Sequence, residues 1–455
     1  MHKFIDEILV FTKQNPIRDE NLVRFAFKLE NVEIELLFEL LLNEETLFYF
    51  SKPTEGKAFI GIGKIENQSS MKLIEAVSKG ISEANDRIIS ANYDSSLMDE
   101  IPLVVGGEKF LPEKKENLWS DFSSRSWFIP QILIVSCAEN PIIIFQFFGK
   151  YPNLEIFERV LDLLSSATFI KTESAIDYEI ISATEIEEWT RIINSGLEEI
   201  SKLNIEKIVL ARRMQLELRS SFNISSFLIK LQKKYPECNT FAYKEKGSIF
   251  FGSTPEKLFT LSGNKLETEA LAGSIARGAN LDEDLVLESN LLNNQKDINE
   301  HNNVLSFLIN NLENFCEEIS YNSKPQIKKL PNIQHLQTPI KAILKEGVDI
   351  LEFLRKLHPT PAVCGLPQKK AWELIEDLEY FDRGLYAGVV GWFNEKRKCD
   401  FLVGIRSAIL KKNILTAYAG CGIVEGSDPI SEYHETELKF KPILSLLENE
   451  TINQP

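Results

Sequence analysis

Short runs rich in β-branched and aromatic residues dominate the chain up to about residue 180. LFYFSKP, AFIGIG, QILIVSC and PIIIFQFFG are each bounded by Gly, Pro or polar residues, a pattern that predicts strands. Between them, MKLIEAVSKGISEANDRI repeats its apolar positions at helical spacing and predicts a helix. Further on, Thr184 and Glu187 form a T-x-x-E signal ahead of Trp189, Ile192, Ile193, Leu197 and Ile200, which predicts a helix starting near residue 182 and capped by Thr184. It hands over to EKIVLARRMQLEL, a strand with Lys207 at its mouth. FLVGIRSAIL reads as another strand, with Arg406 inside an otherwise apolar run. The most legible boundary therefore separates an amino-terminal α/β region, 1–180, without a recognisable catalytic motif, from a region, 181–455, whose residues are chemically unusual.

Composition narrows the class. The chain has 455 residues and 44% hydrophobic composition, enough for one large or two medium globular domains and too apolar for disorder. A formal net charge of -16 disfavours nucleic acid and anionic membrane as partners, because both are bound through excess Lys and Arg. It leaves room for a small anionic substrate in a locally basic pocket. The six cysteines contain no CxxC pair, so neither a zinc cage nor a disulfide scaffold is expected and the thiols are read as reduced. Asp6 and Glu7 interrupt the amino terminus before a signal-peptide core can build up, and the longest apolar runs are of strand length. A cytoplasmic protein is expected.

The chemistry concentrates in the second region. GSTPE places Glu256 in a turn after a strand, and LAGSIARG offers Gly273 and Ser274, where main-chain N–H groups can meet an anion. In NQKDINEHNNV the helical spacing sets Asp297, Glu300 and His301 on one face, and in SEYHETELK it sets Glu432, Glu435 and Lys439 on one face. Arg406 in its apolar run must be paired or must meet a ligand. AYAGCGIV is a small-residue strand end whose backbone could meet a carboxylate. Taken singly, each feature has a plain structural explanation: a strand-end lysine, a turn carboxylate, a solvated helix face.

Their order and wording resemble the chorismate-utilising enzymes, and the isochorismate synthases among them best. KIVLAR, GSTPE, LAGSIARG, DINEH, QHLQT, HPTPAVCGLP, FDRGLYAGVVGW, IRSA and AGCGIV…SDPISEYHET…K follow one another over about residues 184 to 445. Three departures from the family pattern stand out: Thr254 in place of the serine before Pro-Glu, Gln295 in place of an acidic residue, and Tyr433-His434 between Glu432 and Glu435. The resemblance implies an α+β fold of large, mostly antiparallel β-sheets layered with helices around a deep active site. It implies Mg²⁺ as cofactor, with Glu300 and Glu435 as ligands and Glu432 and Asp297 in or near the coordination shell. It implies chorismate as substrate, Lys207 as the base that activates water and Glu256 as the acid that protonates the departing hydroxyl. Arg406, Lys439, Gly420 and Gly422 would hold the enolpyruvyl carboxylate, and Gly273 and Ser274 the other end of the substrate.

Single positions separate the siblings in the same comparison. Lys207 stands where glutamine-dependent anthranilate synthases carry Gln, so water rather than ammonia is expected as nucleophile and no glutaminase subunit as partner. Ala272 occupies the position of the aminodeoxychorismate synthases' lysine. Ala362, where salicylate synthases tend to have Thr, favours stopping at isochorismate; salicylate formation by pyruvate elimination is the alternative. A monomer is expected. The onward route of the product, to menaquinone, a siderophore or salicylate, depends on neighbouring enzymes.

Overall fold

A computed structural model describes residues 2–30, 32–92, 100–111, 117–136, 140–166 and 176–448; Cys137 and the end of the QILIVSC run lie outside them. Among the described residues two sheets form the body, one of 13 strands and one of 9. Every pairing is antiparallel except that of Leu22–Lys28 with Ile88–Ala91. The larger sheet runs from Lys207–Leu218 through Ile414–Ile423, Ser407–Lys411, Ser248–Thr254 and Asn239–Glu245 to Thr46–Lys52 and the other early strands. Asn239–Glu245 pairs directly with Thr46–Lys52, so the stretches on either side of residue 180 share this sheet. They share the smaller one as well, through Val104–Glu108 against Val389–Phe393.

Antiparallel sheets stacked face to face need apolar residues on their inner faces, and the strand runs supply them: Ile132–Val135 is buried throughout and Ile142–Phe148 nearly so. Helices close the outer faces. Ile186–Ser201 lays Trp189, Ile192, Ile193 and Ile200 against the large sheet, and Gly196 permits the approach, since a Cβ there would lie 3.2 Å from Ile208 Cγ2. Gln295–Phe315 buries His301, Val304, Leu305, Leu308 and Leu312 against the small sheet.

The structure corrects three local expectations. The Thr184 hydroxyl does not cap the following helix. That helix begins at Ile186 behind Glu185, and Thr184 Oγ1 lies 3.0 Å from the Tyr380 hydroxyl. The helix expected over MKLIEAVSKGISEANDRI ends at Ser78, with Gly80 in the left-handed region at φ +66°, before a single turn at Glu83–Asp86. Arg406 is not inside a strand. It sits at φ +51° in the turn between Lys398–Val403 of the small sheet and Ser407–Lys411 of the large one.

Of the chain's crossings between the sheets, two meet beside the site, and that turn is one of them. The other is Thr254-Pro255-Glu256, between Ser248–Thr254 and Lys257–Ser262. The two lie side by side and are tied together: Val403 N–H donates to the Glu256 carbonyl at 3.1 Å, and Ser253 N–H to the Arg406 carbonyl at 3.2 Å. Each crossing delivers one charged side chain into the space between the sheets.

Candidate active site

That space is a pocket lined by Glu256, Gly273, Ser274, Glu300, Ala362, Arg406, Gly420, Gly422 and Lys439, together with His335, Arg383, Tyr386 and Tyr418. Of the thirteen residues singled out in the sequence, nine line it directly. Lys207 lies just behind the wall, fully buried, with its Nζ 2.8 Å from Glu300 Oε1. Glu432, Glu435 and Asp297 form an adjoining acidic layer in which Glu435 acts on both of the others and Glu300 acts on Asp297.

Backbone geometry explains how these groups converge. Lys207 opens its strand opposite the end of Ile414–Ile423, in the register Ile208↔Ile423 and Val209↔Gly422. A Cβ on Gly422 would lie 2.4 Å from Glu300 Oε1 and 2.8 Å from Lys207 Cε, so the bare strand end is what makes room for the ion pair. Gly273, at φ +77°, is a bulge where the register between Lys265–Ala276 and Ile333–Leu344 slips. A side chain there would meet Asp297 Cβ at 3.1 Å, and the next backbone N–H, that of Ser274, hydrogen-bonds the Asp297 carboxylate. Asn294 caps the helix carrying Asp297 and Glu300, accepting from Lys296 N–H at 2.9 Å, and Asp428 caps Pro429–Leu447, accepting from Ser431 N–H at 2.8 Å. The second helix turns Glu432, Glu435 and Lys439 inward.

The electrostatics are those of crowded carboxylates matched by lysines. Lys207 faces Glu300, Lys296 Nζ lies 2.5 Å from Glu432 Oε1, and Lys439 Nζ lies 2.6 Å from Glu435 Oε1 while donating to the Gly420 carbonyl at 2.9 Å. Burial opposes the charge on Glu300, but Lys207, Lys439 and Lys296 overcome it and hold its carboxyl below the usual value. Asp297 is pushed up to about 6 by burial and then by Glu300, and Glu432 is raised by burial and by Glu435. Glu256 is pushed up to about 7, first by burial and then by the negative charge of Glu269, against Lys207, Lys328 and Lys439.

His301 turns away from the carboxylates: its Nε2 lies 2.8 Å from Thr338 Oγ1, in the helix–sheet interface. No three His, Cys, Asp or Glu side chains among the described residues converge tightly enough to cage a metal by themselves. A hard cation here would draw on two or three carboxylates and complete its shell with water or substrate oxygens.

The sequence reading passed over several wall residues. His335 stands within QHLQT, with Nδ1 2.9 Å from Ser274 Oγ and Nε2 3.5 Å from Arg406 Nη2; burial and the Arg406 charge keep it neutral. Arg383, within FDRGLYAG, pairs with Glu379 at 2.5 Å and donates to the carbonyls of Val363 (2.8 Å) and Val209 (2.7 Å), joining the Ala362 loop to the Lys207 strand. Both carry charge or polarity in apolar surroundings, the signal that singled out Arg406. Arg383→Met would strand the buried Glu379 carboxylate without this counter-charge. Chemical denaturation should show a loss of about 3–5 kcal/mol, and a loss under about 1 kcal/mol would show the pair to be dispensable.

Similarity to known proteins supports the same reading. The profile of a family described as chorismate binding enzyme matches residues 6–448. The chain is 31% identical over 414 residues to isochorismate synthase MenF of Bacillus subtilis, covering 89% of this chain and 88% of that one. It is 31% identical over 434 residues to isochorismate synthase MenF of Haemophilus influenzae, covering 94% and 92%. The fold matches the solved structure of MenF, the menaquinone-specific isochorismate synthase from Escherichia coli, with a TM-score of 0.79 at 22% identity over 98% of this chain and 99% of that one. With profile and fold matching along nearly its whole length and the motifs following in order over about residues 184 to 445, the chain belongs to the family of chorismate-binding enzymes.

Proposed function

We propose that this chain is an isochorismate synthase: it adds water at ring carbon 2 of chorismate, shifts the double bonds and expels the hydroxyl at carbon 4. The observation that carries the reading is the cavity itself. A buried carboxyl with a proton affinity matched to neutral pH, Glu256, opens into the same space as Arg406 and Lys439, with the Lys207–Glu300 pair forming part of its wall. Glu256 protonated would be the donor the leaving hydroxyl needs, and Lys207, behind the cavity wall, would take the proton of the entering water. Arg406 and Lys439 supply fixed positive charge for the substrate carboxylates. Gly420 and Gly422 present their backbone at the cavity wall, where it would meet the enolpyruvyl carboxylate. Relatives carrying the isochorismate synthase name over most of their length support the assignment. With Lys207 serving water, no glutaminase subunit is required.

The all-oxygen donor set fits Mg²⁺, with Glu300 and Glu435 as ligands and Glu432 and Asp297 beside them, and the raised Asp297 and Glu432 carboxyls mark a surplus of negative charge there. Bound there, the ion would neutralise these carboxylates and draw electron density from the ring through the substrate carboxylate. Given chorismate, the purified protein should form isochorismate, stop under excess chelator and resume on addition of Mg²⁺. Glu300→Ala and Glu435→Ala should sharply raise the Mg²⁺ concentration required for half-maximal rate. Full activity in excess chelator would contradict the metal assignment.

A further inference from the structure

Lys328, on the short strand Gln326–Lys329, and Glu269, on Lys265–Ala276, occur in none of the sequence motifs. Their geometry around Glu256 is specific. Lys328 Nζ donates at 2.8 Å to the carbonyl of Pro255, the residue before Glu256, and at 2.8 Å to Glu269 Oε1. The other Glu269 oxygen accepts from the Gln337 amide. Next to Glu269, the Thr268 hydroxyl donates to the Leu258 carbonyl at 2.6 Å, tying this strand to the one that leaves the Glu256 turn. Lys328 is cross-strand partner to His335, which lines the cavity. The Glu269 side chain is only 7% exposed, so its charge acts largely through protein rather than through water.

We propose that Lys328 and Glu269 act together as the positioning pair for Glu256, the ammonium anchoring the backbone of the turn that presents its carboxyl and the carboxylate setting the charge that this carboxyl faces. The inference rests on the reading of Glu256 as the acid. Backbone bonds from Val403 N–H to the Glu256 carbonyl and from Ser253 N–H to the Arg406 carbonyl hold the ends of the turn, and the Pro255 carbonyl between them has Lys328 as its donor. A proton donor displaced by about 1 Å forfeits much of its rate advantage. The charged groups that act on Glu256 are Glu269 and Lys328, Lys207 from its strand and Lys439 from the carboxy-terminal helix; Arg406, neutral His335 and the ion-paired Glu300 and Arg383 line the same cavity. Among these, Glu269 is the negative group that favours the protonated acid, while Lys328 opposes it.

Opposite signs give the test. In the full-length enzyme with Mg²⁺ and chorismate, the alkaline limb of kcat/KM against pH reports loss of the acid's proton. Glu269→Gln, which keeps the shape and removes the charge, should move that limb to lower pH. Lys328→Met should move it to higher pH and lower kcat by about tenfold through the freed turn, and Lys328→Arg should recover most of both. Limbs that stay at the parental position, or that move in the same direction in the two charge-removing variants, would overturn the pair. If Lys328→Met does not fold, the Glu269→Gln limb decides alone. Glu256→Gln serves as control: near-parental turnover in it would remove the acid reading itself, whereas an inactive Glu256→Gln with unmoved limbs in the pair would refute only the positioning role.

Discussion

Glu256→Gln should lower kcat for isochorismate formation by at least about 10² while leaving the protein folded and, above neutral pH, more stable than the parent. The amide occupies the same volume but carries no dissociable proton for the leaving hydroxyl. The sign of the stability effect follows from linkage. The folded carboxyl titrates near 7 and the unfolded one near 4.5, so as pH rises from 4.5 the unfolded chain releases its proton while the folded chain holds it. The folded state is therefore penalised progressively up to pH 7 and by a constant amount above it, roughly 3 kcal/mol at full extent. Gln escapes that penalty. The parent's activity should fall as pH rises through 7, because the acid loses its proton there. Thermal unfolding at pH 8 alongside turnover checks both: an active variant, or an inactive one that is also destabilised, would contradict the account of Glu256.

Gly422→Ala should be nearly as damaging to turnover although it adds one methyl group. That methyl would fall 2.4 Å from Glu300 Oε1 and 2.8 Å from Lys207 Cε, both inside contact distance, and the residue lies in a paired strand that has little freedom to retreat. The ion pair must separate or swing away, which displaces the proposed base and a proposed Mg²⁺ ligand together. A loss of about 10² in kcat is expected with a stability change of only about 1–3 kcal/mol, the ordinary cost of overpacking. Gly426→Ala provides the contrast, since no atom lies within 4 Å of a Cβ there and its φ of +82° charges only backbone strain. Comparable turnover in the two variants would show that the space at Gly422 has no catalytic importance.

These groups were legible in the sequence to different degrees. Strand runs such as PIIIFQFFG were plain because both faces are buried and the pattern is continuous. The carboxy-terminal helix was ambiguous, because Glu432 and Thr436 are buried on the side that turns toward the site, so charge and burial coincide and the amphipathic signal is lost. Arg406 stands out in the sequence as a charge in an apolar run that reads as a strand. A single residue at positive φ leaves no mark on hydrophobic periodicity, and the runs on either side belong to different sheets. The resemblance supplied the motif residues, yet Lys328 and Glu269 were invisible to it, since a surface-looking lysine and glutamate acquire meaning only when Lys265–Ala276 and Ile333–Leu344 bring them beside Pro255. The shared sheets were hidden for a similar reason: the pairing of Asn239–Glu245 with Thr46–Lys52 joins residues almost 200 positions apart.

The central claim is that the site exchanges water for hydroxyl and goes no further. Ala362 lies on the cavity wall with Val363 and Tyr386 and carries no hydroxyl; with Lys207 and Glu256 in the proposed roles, able to exchange acid and base, the reaction should run both ways. The most direct test follows chorismate, isochorismate, pyruvate and salicylate together after mixing the purified enzyme with chorismate and Mg²⁺, and again starting from isochorismate. The account predicts the same chorismate–isochorismate mixture from either side, with pyruvate and salicylate at trace level; stoichiometric pyruvate release with salicylate accumulating would contradict it.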